Sequence, residues 1–180
     1  KLSNFLINNP TNYSLKFDNE INFIFHDLIK NDEDKLCRIL NSMTQIDIHR
    51  DNEYYFRTAC SFGSIKVAKW INSIGNVNIN AVNNDAFYSA CYNDKPEIVT
   101  WLIQKLQLSI DFFKNNHELF RKCCQKKCNN VVIFFCFLFK FNLKIEPHFK
   151  DEYYDESPFH FFCRHNYIEL AKLYIGIKNF

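Results

Sequence analysis

The sequence predicts an all-α fold, a helical solenoid of about five repeats with turn or short hairpin connections, and three observations predict it. The first is a unit running from Asp51 to Ile71. Within it Phe56, Ala59 and Cys60 keep the i, i+3, i+4 spacing of a short helix with one apolar face. Gly63 breaks that helix, and Ile65, Val67, Ala68, Trp70 and Ile71 make a second. The second observation is recurrence: the break at Gly63 has counterparts at Asp32, Asp94, Lys127 and Asn166, at steps of 31, 31, 33 and 39 residues. The third is that such a pair cannot stand alone. Isolated helices under ~12–15 residues are marginal in water, so each pair must bury its apolar face against a neighbour of the same shape.

The elements follow in chain order. Residues 1–17 hold Leu2, Phe5, Leu6 and Ile7 before the turn signal Asn8-Asn9-Pro10 and read as an N-terminal cap or partial repeat. The first repeat runs over 18–47, with helices near 23–31 and 33–43, and Asp32, Glu33 and Asp34 sit where the dipole of its second helix favours negative charge. The second repeat occupies 48–78 and the third 79–111, whose second helix opens with Pro96-Glu97, a residue pair suited to a first helical turn. The fourth covers 112–150 and the fifth 151–180, with extra residues at 140–156 accounting for the long last step. Three columns tie the repeats together: Phe25, Phe56, Phe87, Phe120 and Phe159; the pairs Leu28/Ile29, Ala59/Cys60, Ala90/Cys91, Cys123/Cys124 and Phe162/Cys163; and the apolar second helices around Leu36, Val67, Ile98, Val131 and Leu170. Such an array is one elongated domain.

Composition excludes several classes. Hydrophobic content of 47% with 17% aromatic supplies a core, 23% charge is ordinary, and a net charge of +2 points to no particular partner. No N-terminal run resembles a secretion signal, and the missing initiator Met suggests a fragment. The longest apolar run, Val131 to Phe139, stops at Lys140, well short of the ~20 residues of a membrane span. It reads as a core helix, and no membrane partner is expected.

Eight cysteines invite a metal or redox reading. Cys60, Cys91, Cys124 and Cys163 occupy one repeat position, and Cys37 falls where Ala68 sits, so the thiols are expected as small hydrophobes in the packing between helices. Cys123, Cys128, Cys136, His148, His160 and His165 lack the paired C-x2-C spacing of a zinc site. The expectation is no metal, no cofactor and no disulfide framework, which suits a reducing compartment. There is no phosphate loop, G-x-S-x-G or H-E-x-x-H, and Asp151, Glu152, Asp155 and Glu156 cluster in a turn, so neither an enzyme nor a small-molecule substrate is expected. The fourth repeat is basic, with Lys114, Arg121, Lys122, Lys126, Lys127, Lys140 and Lys144, but Glu97, Glu152 and Glu156 offset it and no nucleic-acid motif accompanies it.

The segment Ser157-Pro158-Phe159-His160-Phe161-Phe162-Cys163 resembles the T-P-L-H-x-A-A signature of the ankyrin repeat, and Gly63 to Ile71 resembles the G-H-x-x-V-V-x-x-L that follows it. His26 and His160 fall on the signature histidine, which in that family hydrogen-bonds within the turn. Asp51-Asn52-Glu53 and Asn84-Asp85-Ala86-Phe87, each followed by Ala-Cys and a Trp-containing second helix, are similar to the divergent ankyrin repeats of giant DNA viruses. The likeness covers roughly residues 18 to 176. It departs from the family in lacking Gly at most turns and Thr-Pro outside the last repeat.

The resemblance implies a protein-interaction module or scaffold, inside a host cell or virion, that binds a protein partner through turn tips and first helices. Carried over by position, the partner-binding candidates are Arg50, Asp51, Glu53, Ser61 and Phe62 in the second repeat and Ala81, Val82, Asn84, Tyr92 and Asn93 in the third. The fourth repeat adds Lys114, Asn115, His117, Gln125 and Lys126, and the fifth Tyr153, Tyr154, Glu156, Arg164 and His165. The alternative is a component of a virus particle held by permanent contacts, suited by Phe112, Phe113, Phe137, Phe139 and Phe141 outside the repeat columns. Nucleic-acid binding through the fourth repeat ranks below both.

Overall fold

The computed structural model describes residues 13–44, 46–108, 117–142, 149–151, 154–156 and 158–178. Apart from one pair of short strands, every regular element among them is a helix. By internal packing the chain forms two units, Lys1–Ala86 and Phe87–Phe180.

The first unit holds α1 (Tyr13–Lys30), α2 (Asp34–Thr44), α3 (Arg50–Phe62) and α4 (Ile65–Ile74), and α5 (Ala81–Tyr92) begins in it. Helix α1 starts well before the predicted residue 23. Pro10 is the last helix breaker ahead of it, and extending a helix is far easier than nucleating one. The second unit holds α6 (Pro96–Leu106), α7 (His117–Gln125), α8 (Asn129–Asn142), the strands β1 (Phe149–Asp151) and β2 (Tyr154–Glu156), α9 (Pro158–Arg164) and α10 (Ile168–Lys178). The strands pair antiparallel with Phe149 opposite Glu156, Lys150 opposite Asp155 and Asp151 opposite Tyr154. Asp151, Asp155 and Glu156, part of the acidic cluster that reads as a turn in the sequence, therefore lie on paired strands.

One turn joins the helices of every pair. Asp32, Gly63, Asp94, Lys127 and Asn166 all adopt the left-handed conformation, with φ of 56°, 85°, 56°, 60° and 57°. At each, the N–H of the left-handed residue donates to the carbonyl three residues back, at Ile29, Cys60, Cys91, Cys124 and Cys163. The next N–H donates to the carbonyl five residues back, at Leu28, Ala59, Ala90, Cys123 and Phe162, over 2.8–3.0 Å. That double closure is the Schellman cap, which satisfies the carbonyls a helix end leaves open. The second helix then starts at once, with Cys37, Ala68, Val99, Val132 and Ala171 making its first bonds.

A side chain in the left-handed region costs about 1–2 kcal/mol, least for Asp and Asn, so the rarity of Gly at these turns calls for compensation. Asp32 and Asp94 supply it. The Asp32 carboxylate accepts the N–H groups of Lys66 and Val67, both at 3.0 Å, capping α4. Asp94 accepts the N–H of Val131 and the side-chain amide of Asn130, each at 2.8 Å, capping α8. A cap of this kind contributes about 1 kcal/mol, and each ties one helix pair to the next.

The predicted columns form the cores. In the first unit Phe25, Ile29, Phe56, Ala59, Cys60, Val67, Ala68 and Ile71 are fully buried, and Phe25 meets Tyr55 edge-on at 4.8 Å and Trp70 at 6.2 Å. In the second, Phe87, Cys91, Ile98, Leu102, Val131, Val132 and Phe135 are buried, and Phe162 packs against Phe120 and Tyr174, both at 6.0 Å. Two members of the columns are exposed. Cys163 is exposed although Cys60, Cys91 and Cys124 are buried. Leu36 is also exposed where Val67, Ile98 and Val131 are buried.

Candidate functional site

The first unit presents an open cleft of about 470 Å³ between the exposed faces of α1 and α3. Asn22, Phe23 and His26 line it from α1, and Arg50, Asp51, Tyr54 and Tyr55 from α3. Asn22, His26 and Lys30 recur every fourth residue, so one helix face carries all three. The His26 ring stacks on Tyr54 at 6.2 Å and meets Phe62 edge-on at 5.8 Å, and the Lys30 ammonium lies 5.5 Å over the Phe62 ring. The Tyr55 hydroxyl donates to Asn22 Oδ1, and burial pushes its pKa upward against the opposing pull of Arg50. Arg50 Nε donates to Asp51 at 3.0 Å, a bond that pushes the already high guanidinium pKa higher. The surface is thus aromatic with a fixed cation at each end.

The start of α3 is unusual. Asp51, Asn52 and Glu53 are all left-handed, and one 31-residue step later Val82, Asn83 and Asn84 repeat the conformation. Arg57 holds the first of these turns: its Nε donates to the Asn52 carbonyl at 2.9 Å, one terminal nitrogen to the Asp51 carbonyl at 3.1 Å, and the other to Asp85 at 2.8 Å. The turn swings Glu53 inward. Its side chain is buried and accepts from His49 Nδ1 at 3.0 Å and the Asn78 N–H at 3.2 Å, so Glu53 braces the turn and does not face a partner as expected.

In the second unit Tyr92 stacks on Tyr88 at 6.3 Å, and the Lys126 ammonium lies 5.6 Å over the Tyr92 ring. Burial pushes the Tyr92 hydroxyl pKa up, while Lys122 opposes the shift. Lys122 pairs with Glu118 one turn away, and Asn93 donates to the Ser89 carbonyl at 2.9 Å. His165 stacks on Tyr167 at 5.9 Å, and Arg164 is exposed at the end of α9. Of the remaining candidates, His117 opens α7 and Tyr154 opens β2. Lys114, Asn115 and Tyr153 lie outside the described residues.

Two pairings recur between repeats. Lys30 and Tyr92 hold one position and Phe62 and Lys126 the next along, so the same cation–aromatic contact forms in both units with the partners exchanged. His26 and Arg57 are likewise counterparts, as are Tyr54 and Asp85; His26 stacks on Tyr54, and Arg57 makes a 2.8 Å ion pair with Asp85. Sequence reading by single columns missed Phe23, Lys30, Tyr54 and the Arg57–Asp85 pair. Reading diagonally between repeats, at offsets of 28 and 32 to 34 residues, is the signal that finds all of them except Phe23.

Burial pushes the Cys37 thiol up to about 12, Cys128 up to about 11, and Cys60 and Cys91 upward as well. Thiols held protonated are poor nucleophiles and poor metal ligands. Cys123 and Cys128 instead donate to the carbonyls of Cys91 and Tyr92, at 3.9 and 3.3 Å. Among the described residues no group of three or more His, Cys, Asp or Glu could hold a metal ion, and no helix is long and apolar enough to cross a membrane. No family model, no curated protein and no solved structure matches the chain.

Proposed function

We propose that the chain is an ankyrin-type repeat array acting as a protein-interaction module, which takes a protein partner on the exposed faces of its first helices and the adjoining turn tips. The observation that carries this reading is the recurrent cation–aromatic contact at one pair of repeat positions, Lys30 with Phe62 and Tyr92 with Lys126. Aromatic rings and guanidinium groups supply most of the energy at protein interfaces. Here the Phe62 and Tyr92 rings lie partly exposed and are held in place by the lysines over them, so little side-chain freedom is lost on binding. The repeated Schellman turns and the caps from Asp32 and Asp94 support the stacked array.

The basic fourth repeat supports nucleic-acid binding less well, because Lys122 is paired with Glu118 and Lys126 is engaged by Tyr92. The particle-component alternative draws on phenylalanines whose side chains lie outside the described set.

The test is an affinity map with a partner captured from expressing cells and titrated by calorimetry. Phe62→Ala, Tyr92→Ala and Arg164→Ala are each expected to weaken binding by more than about 1 kcal/mol. Lys69→Ala and Lys172→Ala, on exposed positions of the second helices, are expected to stay within about 0.5 kcal/mol. The reverse pattern would move the binding face to the second helices and reject this reading.

A further inference from the structure

The cleft between α1 and α3 is charged at its ends and aromatic in its middle. Arg50 and Asn22 line one end, where the Tyr55 hydroxyl donates to Asn22. At the other end the Lys30 ammonium lies over the Phe62 ring. Eight residues of α1 lead from Asn22 to Lys30, about 12 Å along the helix axis. Between them Phe23 is 74% and Tyr54 38% exposed, an open aromatic surface with His26 beside it. Among the described residues no carboxylate pairs with Lys30. Asp51 is bonded through Arg50 Nε, on a guanidinium that carries five N–H donors.

Two cations flanking an aromatic surface are complementary to two carboxylates flanking a large apolar side chain, and the walls decide which backbone carries them. Those walls are helix faces, whose main-chain groups bond within their own helices. At the irregular start of α3 the Asp51 and Asn52 carbonyls are taken by Arg57. An extended strand would gain no main-chain bonds there, whereas a helix satisfies its own. We propose, resting on the reading that first-helix faces take a protein, that the cleft takes an acidic amphipathic helix of the partner, with carboxylates at i and i+7 set against Arg50 and Lys30 and large apolar residues at i+3 and i+4 laid on Phe23 and Tyr54. Seven residues of such a helix rise about 10.5 Å, and the long basic side chains close the remaining difference. A single-stranded nucleic acid would also stack on the rings, but it brings a charge at every nucleotide, which the exposed carboxylates of Asp27 on α1 and Asp51 on α3 disfavour.

The test titrates the full chain with stapled alanine-based helices by fluorescence anisotropy. One carries Glu at i and i+7 with Phe and Leu at i+3 and i+4, a second replaces both Glu with Gln, and a third replaces Phe and Leu with Ala. The two altered helices are expected to bind about tenfold more weakly than the first. Lys30→Gln and Arg50→Gln should each weaken the Glu helix about fivefold and leave the Gln helix within about twofold, since the loss belongs to the charge pair. Asp51→Asn keeps a residue tolerant of the left-handed conformation. It should tighten the Glu helix about threefold by freeing the guanidinium, a gain that a purely structural Arg50–Asp51 pair would not give. A Gln helix bound as tightly as the Glu helix would overturn the proposal. So would an oligothymidine strand that binds more tightly than either helix and loses affinity in the same two variants. Helices that fail to bind while the affinity map stays sensitive at Phe62 reject the acidic helix alone, whereas sensitivity confined to Lys69 and Lys172 rejects the broader reading.

Discussion

Residues 50–74 and residues 117–142 carry the same turn and capping bonds on two different sets of side chains. Both end their first helix in the same double cap, closed by Gly63 and Ser64 in one and by Lys127 and Cys128 in the other. Both second helices are capped by an aspartate of the preceding turn, Asp32 or Asp94. Some fillers differ: Ala59 becomes Cys123, Ala68 becomes Val132, and Trp70/Ile71 becomes Phe134/Phe135, while Phe56/Phe120, Cys60/Cys124 and Val67/Val131 keep their residue. The difference teaches that the repeat preserves main-chain bonding and an apolar core, while several of the buried groups exchange freely. Cores tolerate such exchange when total volume and patterning are kept.

The largest effect that could break this equivalence is at the shared phenylalanine. Phe56 and Phe120 are 0% and 5% exposed, so replacing either with Ala is expected to lower unfolding free energy by about 3–5 kcal/mol in urea titrations. A small loss at one of them alone would mean that the two pairs are not packed alike.

Alkaline pH probes the buried thiols of both units. Cys37 and Cys128 are held well above the ordinary 9.0, so the unfolded chain ionises first and the folded state is progressively disfavoured. The stability that these groups contribute is complete below about pH 9 and is lost as pH rises toward their folded values, at about 1.4 kcal/mol per pH unit for each thiol. The melting midpoint should hold steady near neutrality and fall above about pH 9, less steeply in Cys37→Ala. An equally steep fall in that variant would exclude Cys37 as a contributor.

The smallest effect sharpens the comparison at the turn. Gly63 and Lys127 share the left-handed conformation at φ of 85° and 60°. Gly63→Ala should therefore destabilise and Lys127→Gly stabilise, each by about 1 kcal/mol in chemical denaturation. A destabilised Lys127→Gly would show that the lysine stem contributes packing that outweighs its backbone strain.

The sequence by itself determined the helix pairs, the five breaks and the buried columns. Helix periodicity, the left-handed cap and apolar burial all act over a few residues, so their marks are local. It did not carry the inward turn of Glu53, because nothing in Asp51-Asn52-Glu53 announces three consecutive left-handed residues without a glycine. Nor did it carry the stacking of His26 on Tyr54, the Arg57–Asp85 ion pair or the lysines set over Phe62 and Tyr92. Those contacts join residues about 28 to 34 apart, and they exist only once neighbouring helices are docked at a particular distance and register. Tertiary packing decided them, since a side chain's periodicity specifies which face it occupies and only the docked neighbour specifies what it meets there.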